Sequence, residues 1–133
     1  MAFFMRNWEE QTYALMRIIS GYVLLWHGTQ KLFNIPPSEH AASGYILWVA
    51  GPIELIGGIL VMIGLFTRPA AFICSGFAAA AYWIAHGSLD ALPASALLPI
   101  TNGGDLAVLM TFVYLYISAR GGGIWSVDNA RSD

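Results

Sequence analysis

The sequence predicts an all-α integral membrane protein, a four-helix bundle with both termini in the cytoplasm. Three observations lead there. The first is composition: 57% of the 133 residues are apolar and only 11% charged, against about 45–50% and about 25% in soluble domains. The second is punctuation: proline and glycine clusters divide the apolar sequence into four segments of roughly membrane-crossing length. The third is charge placement. Arg6, Arg17, Arg68, Arg120 and Arg131 fall at the N-terminus, the second connection and the C-terminus, and Lys31 alone falls on the opposite side. Cytoplasmic loops collect Arg and Lys, so this bias puts the termini and the second turn inside and the first and third loops outside. The length suits a single domain, residues 1–133.

Residues 1–12 lack a basic start and a cleavage site and are expected to remain as an interfacial helix or a disordered end. The first span is expected over about 13–33. Asn34-Ile35-Pro36-Pro37-Ser38 ends it, because paired prolines cannot continue a helix. The second is expected over about 44–66, followed by a tight Thr67-Arg68-Pro69 turn in which proline opens the next helix. The third runs over about 69–86. Residues 87–102 hold two prolines in a fairly apolar context, and an outer loop, partly re-entrant, is expected there. The last span, about 103–119, is short for a crossing of about 20 residues and is stopped by Gly121-Gly122-Gly123.

Glu54 is the only ionisable residue in the run from Tyr45 to Phe66. A carboxylate at that depth costs several kcal/mol unless it is paired, protonated or facing water. Pro52 and three nearby glycines loosen the backbone around it. On the first helix Arg17, Ser20, Gly21, Leu24, His27, Gly28 and Lys31 recur at steps of three and four and share a face. Gly51, Glu54, Gly58 and Val61 do so on the second, and Gly76, Ala79, Ala80, Trp83 and His86 on the third. Small residues let membrane helices approach and polar ones turn inward. The expectation is a polar pocket open to the outer side. Glu54, His27 and Lys31 are its candidate catalytic groups, and Arg17, His86, Asn102 and Asp105 line or close it. His27 lies roughly 6 Å nearer the outer surface than Glu54, at about 1.5 Å per residue. Arg17 and Arg68, near the inner surface, are expected to snorkel to phosphates, with Glu54 as a second partner for Arg17.

Each residue has a plainer reading. Glu54 suits a structural ion pair, His27 a satisfied interior histidine, Lys31 an interface anchor, and Cys74 a packed small hydrophobe. The single cysteine excludes an internal disulfide and a thiol relay carried by this chain alone, and leaves no ligands for an iron–sulfur cluster. There is no dinucleotide fingerprint and hence no expected nucleotide. The net charge of −2 and the absence of a basic patch argue against nucleic acid. No metal site is expected, His27 and His86 being the weak candidates for a metal or haem.

The order Arg17, His27-Gly28-x-x-Lys31, Glu54-x-x-Gly57-Gly58, Gly64-Leu65-Phe66-Thr67-Arg68, Asn102-Gly103-Gly104-Asp105 and Ser126-x-Asp128 resembles the DoxX family of small membrane proteins. Asp105 stands where that family often has Glu. The resemblance implies a four-helix membrane fold and a role near respiratory or quinone chemistry, because relatives include subunits of thiosulfate:quinone oxidoreductase. It carries over no catalytic residues. The leading expectation is a quinone-linked oxidoreductase component of the inner membrane. Glu54 or His27 would exchange protons with the quinone and Lys31 would stabilise a reduced anion. Electrons would come from a partner or a bound substrate. The alternative is a non-catalytic accessory subunit that stabilises a larger respiratory or photosynthetic complex. Expected partners are lipid and either proteins of such a complex or further copies of the chain. A small-solute transporter fits poorly, for lack of a clear inverted repeat.

Overall fold

The computed structural model describes residues 3–87 and 98–132. It is all helical, with no strand among the described residues. A turn of 3-10 helix, Arg6–Trp8, leads into α1, Glu9–Phe33. The interfacial or disordered stretch expected before residue 13 is therefore largely helical. Two acidic residues, Glu9 and Glu10, occupy the first turn of α1 and suit its positive end. At the other end Asn34 adopts a left-handed conformation and its N–H returns to Gln30 and Thr29, closing α1 just before the prolines.

A wide π-helical turn, Ile46–Ala50, precedes α2, Gly51–Ile63. Together they form the stretch Ile46–Ile63, long and apolar enough to cross a membrane, with only 28% of it buried inside the chain. Pro52 follows the π-helical turn directly within continuous helical backbone, and the widened turn before it accommodates its ring and missing N–H. Gly64 ends α2 at φ 72 and hands the chain directly to α3, Thr67–Ala81. A second π-helical turn, Tyr82–His86, completes that helix. The outer loop expected over 87–102 lies mostly outside the described residues. Its last part is a helical turn, α4, Pro99–Asn102. α5, Asp105–Arg120, and a short α6, Val127–Ala130, complete the chain.

The helices associate as two close pairs, α1 with α2 and α3 with α5, joined mainly where α2 meets α3. Glycine sets the α1–α2 distance. A Cβ on Gly58 would lie 2.6 Å from Leu25 N, and one on Gly21 2.5 Å from Met62 N. The backbones are in direct contact, so the small-residue faces expected on these two helices do meet. α3 departs from expectation. Its buried face is Ala71, Cys74, Ser75, Ala78 and Tyr82, whereas Gly76 has open space around it and Trp83 is exposed. Small residues occur all round this helix, so periodicity alone could not pick the inward face. Packing chose the one that lets Cys74 fit against Gly57, where no Cβ intervenes.

The core joins Tyr13, Leu24, Val61, Ala71, Cys74, Tyr114 and Ile117. It is densest toward the Arg17 end. There Tyr114 donates to Ser20 O (2.8 Å) across the bundle. Many large apolar side chains, among them Phe72, Ile73, Leu109 and Phe112, point outward. For a protein in water this would be an unusual surface; hydrocarbon is its natural solvent.

Candidate functional site

At the Lys31 end the two helix pairs separate and enclose a cavity of about 530 Å3. α1 and α2, with the π turn before α2, form one wall; α3 and α5 form the other. The lining is mostly aliphatic, including Val23, Leu24, Val49, Ala78, Ile84, Leu106 and Met110. Among its described residues, charged or imidazole groups come from His27, Lys31, Glu54 and His86.

Lys31 Nζ donates to Glu54 Oε2 at 2.6 Å. α1 and α2 bring the two together because Gly28, one turn below Lys31, lets the Leu55 backbone approach directly. Glu54 is nearly enclosed, its side chain 8% exposed, and Lys31 is more open at 24%. Opposite charges at this distance in an apolar surround offset each other's desolvation, and removing either one strands the other at a cost of about 3–5 kcal/mol. His27 lies one turn inward of Lys31 on the same wall, its surface open to the cavity. Glu54 thus has its plain partner and still lies on the wall of a cavity.

His86 occupies the other wall, at the end of the second π turn. Its Nδ1 is 3.1 Å from Asn102 O. Asn102 does not line the cavity; it is a bracket. Its Nδ2 donates to Tyr82 OH (3.0 Å) and its Oδ1 accepts from Gly104 N (2.9 Å), tying the end of α3 to the start of α5. Asp105 is exposed in the first turn of α5 and takes no part in the cavity, contrary to expectation. A carboxylate there complements the helix N-terminus. Both π turns border the cavity, through Ile46, Val49 and Ala50 on one side and Ile84, Ala85 and His86 on the other. Such widened turns often mark functional sites in helices.

Arg17 is the clearest correction. It does not line the cavity, reach Glu54 or snorkel. It is fully buried at the opposite end. Its Nε donates to Gly122 O (2.9 Å), Nη1 to Val61 O (2.9 Å) and Met62 O (2.6 Å), and Nη2 to Ile124 O (3.3 Å) and Trp125 O (2.7 Å). The guanidinium gathers the end of α2 and the segment after α5 into one knot. Arg68 likewise caps the last turn of α5, donating to Ser118 O, Ala119 O and Arg120 O. Asp128, which the sequence reading noted only as part of a motif, fixes this end from the other direction. It accepts from Phe66 N (2.9 Å), Thr67 N (2.8 Å) and Thr67 Oγ1 (2.7 Å) at the start of α3. The available signal was the glycine run, since Gly121 and Gly123 take φ 90 and φ 67 to fold the segment back.

Among the described residues, no three His, Cys, Asp or Glu side chains come together as a metal-holding group. His27 and His86 do border the same cavity.

Comparison with known proteins agrees with the resemblance to the DoxX family. An uncharacterized protein of Haemophilus influenzae (strain ATCC 51907 / DSM 11121 / KW20 / Rd) is 41% identical over 120 residues, covering 87% of each chain. No solved structure matches. The sequence model of DoxX matches residues 12–87, a stretch that includes Arg17, His27, Lys31, Glu54 and His86. The chain is a membrane protein of the DoxX family.

Proposed function

We propose that this chain is a quinone-binding component of an inner-membrane oxidoreductase, crossing the bilayer four times with both termini cytoplasmic and the cavity open to the outer side. The observation that carries this reading is the cavity itself: an aliphatic space of about 530 Å3 with one ion pair, Lys31–Glu54, set into its wall. A quinone needs apolar walls for its ring and tail and a few polar groups at its oxygens. Lys31 supplies a donor to a carbonyl and charge stabilisation for a reduced anion, while Glu54 and His27 supply proton-exchanging groups beside it. The aliphatic lining excludes water and makes each polar contact count for more. In this reading electrons enter from a partner protein or a bound substrate.

The test is purification in mild detergent followed by solvent extraction and chromatography of bound quinone. The expected result is retained quinone, reduced several-fold per folded molecule by Glu54→Gln, which also lowers the folded yield by stranding Lys31, and by His27→Ala, which keeps the folded yield. Recovery only within a larger assembly, with no quinone on this chain, would favour a non-catalytic accessory subunit. That second reading draws on the broad outward apolar faces at Phe72, Ile73, Leu109 and Phe112, which suit a neighbouring membrane protein as well as lipid.

A further inference from the structure

The two walls of the cavity offer different hydrogen-bonding chemistry. On the α1–α2 wall the ion pair provides both kinds: Lys31 donates and Glu54 accepts. On the α3–α5 wall the imidazole of His86 is held, among the described residues, through Nδ1 to the Asn102 carbonyl oxygen at 3.1 Å. A carbonyl oxygen can only accept, so Nδ1 carries the hydrogen. In the neutral ring this leaves Nε2 as a lone-pair acceptor. The Asn102 carbonyl is fixed in turn, because the Asn102 side chain bridges Tyr82 OH and Gly104 N.

From this asymmetry we infer that the cavity discriminates between the redox states of its ligand and binds a hydroquinone in preference to the corresponding quinone, with His86 as the selecting residue. This rests on the quinone reading above. A quinone presents only acceptors. Facing the His86 wall, its carbonyl would meet another acceptor. A hydroquinone presents a hydroxyl hydrogen, which His86 Nε2 can accept, and a second hydroxyl that Glu54 can accept while Lys31 donates to its oxygen. The α1–α2 wall therefore tolerates both states and the His86 wall favours one. One neutral hydrogen bond made in place of an acceptor–acceptor clash is worth about tenfold in affinity. Preferential binding of the reduced state raises the potential of the bound couple, by about 30 mV for tenfold in a two-electron couple. The site would thus hold its ligand after reduction and yield it on oxidation.

The experiment measures binding of one short-tailed benzoquinone, decylubiquinone, to the purified chain at pH 8. The oxidised form and the dithionite-reduced form are titrated separately by tryptophan fluorescence under anaerobic conditions. The wild-type chain is expected to bind the reduced form about tenfold more tightly. His86→Gln, whose amide can turn to donate or accept, is expected to bring the two affinities within about twofold by raising the oxidised-form affinity while changing the reduced-form affinity little. Nitrogen NMR of the labelled imidazole provides a readout independent of the ligand and is expected to show the hydrogen on Nδ1. Equal wild-type affinities, a preference that survives His86→Gln, or a hydrogen on Nε2 would each overturn the inference and leave the quinone reading intact. Failure of the wild type to bind either form would overturn both.

Discussion

At the scale of single residues, two side chains at the end remote from the cavity should matter as much as those in it. Arg17 binds five carbonyl oxygens with three nitrogens. An ammonium has neither the reach nor the planar fork for this. Arg17→Lys should therefore lower stability by about 2–4 kcal/mol, read as the thermal midpoint in detergent, with quinone affinity preserved in the protein that remains folded. Asp128 is partly buried, which works to raise its pKa; the hydrogen bonds from Thr67 and Phe66, with Arg131 nearby, outweigh this and hold it below the ordinary carboxylate value. A depressed carboxyl stabilises the fold above its unfolded value, about 3.9. That contribution is lost as the pH falls through the lower value it has in the folded chain. The thermal midpoint should fall on acidification below about pH 4, and Asp128→Asn should lower the neutral-pH midpoint and flatten that acid limb.

Among the helices, the α1–α2 pair is the part most dependent on what is missing. Leu25 N lies where a Gly58 side chain would begin, and the Leu55 backbone lies against Gly28. Gly58→Val should wedge the pair apart at a cost of about 1–3 kcal/mol or more. Because the same pair carries Lys31 and Glu54, it should also cost quinone retention, and the two losses should rise together across Ala, Val and Leu at this position. This pairing was legible in the sequence, since glycine at helical spacing beside a lone carboxylate has few other uses. The α3 face was not, because Ala, Gly and Ser surround that helix and give no contrast. The π turns were equally hidden: they alter one hydrogen bond per turn and leave no mark in composition.

For the whole molecule, the helical class, the segment order and the family could be read from the chain before any coordinates. So could the placing of Glu54 and Lys31 in one polar pocket, because both faces were marked by charge within apolar surroundings; their direct ion pair is a finding of the structure. The role of Arg17 could not. Its partners are backbone carbonyls, which every residue has and no sequence pattern singles out; only the glycine run after α5 hinted that chain would fold back there. The proposed orientation makes its own prediction. His40 and Ser132 are exposed, and Cys74 is fully buried and silent. In intact cells a membrane-impermeant maleimide should label a His40→Cys variant. A Ser132→Cys variant should be labelled only after permeabilisation.

The knot around Arg17 also bears on how the protein is made. Three of its acceptors, Gly122, Ile124 and Trp125, lie 105 to 108 residues downstream. On the proposed topology the first helix enters the bilayer before any acceptor of Arg17 exists; Val61 O and Met62 O can meet its guanidinium once α2 is made, and the other three only after the segment following α5 has emerged. A nascent chain stopped at Arg120 would hold α1 to α5 with the guanidinium only partly matched. Such a chain is a natural target for membrane quality control, and the full-length protein escapes that fate only once its tail has folded back.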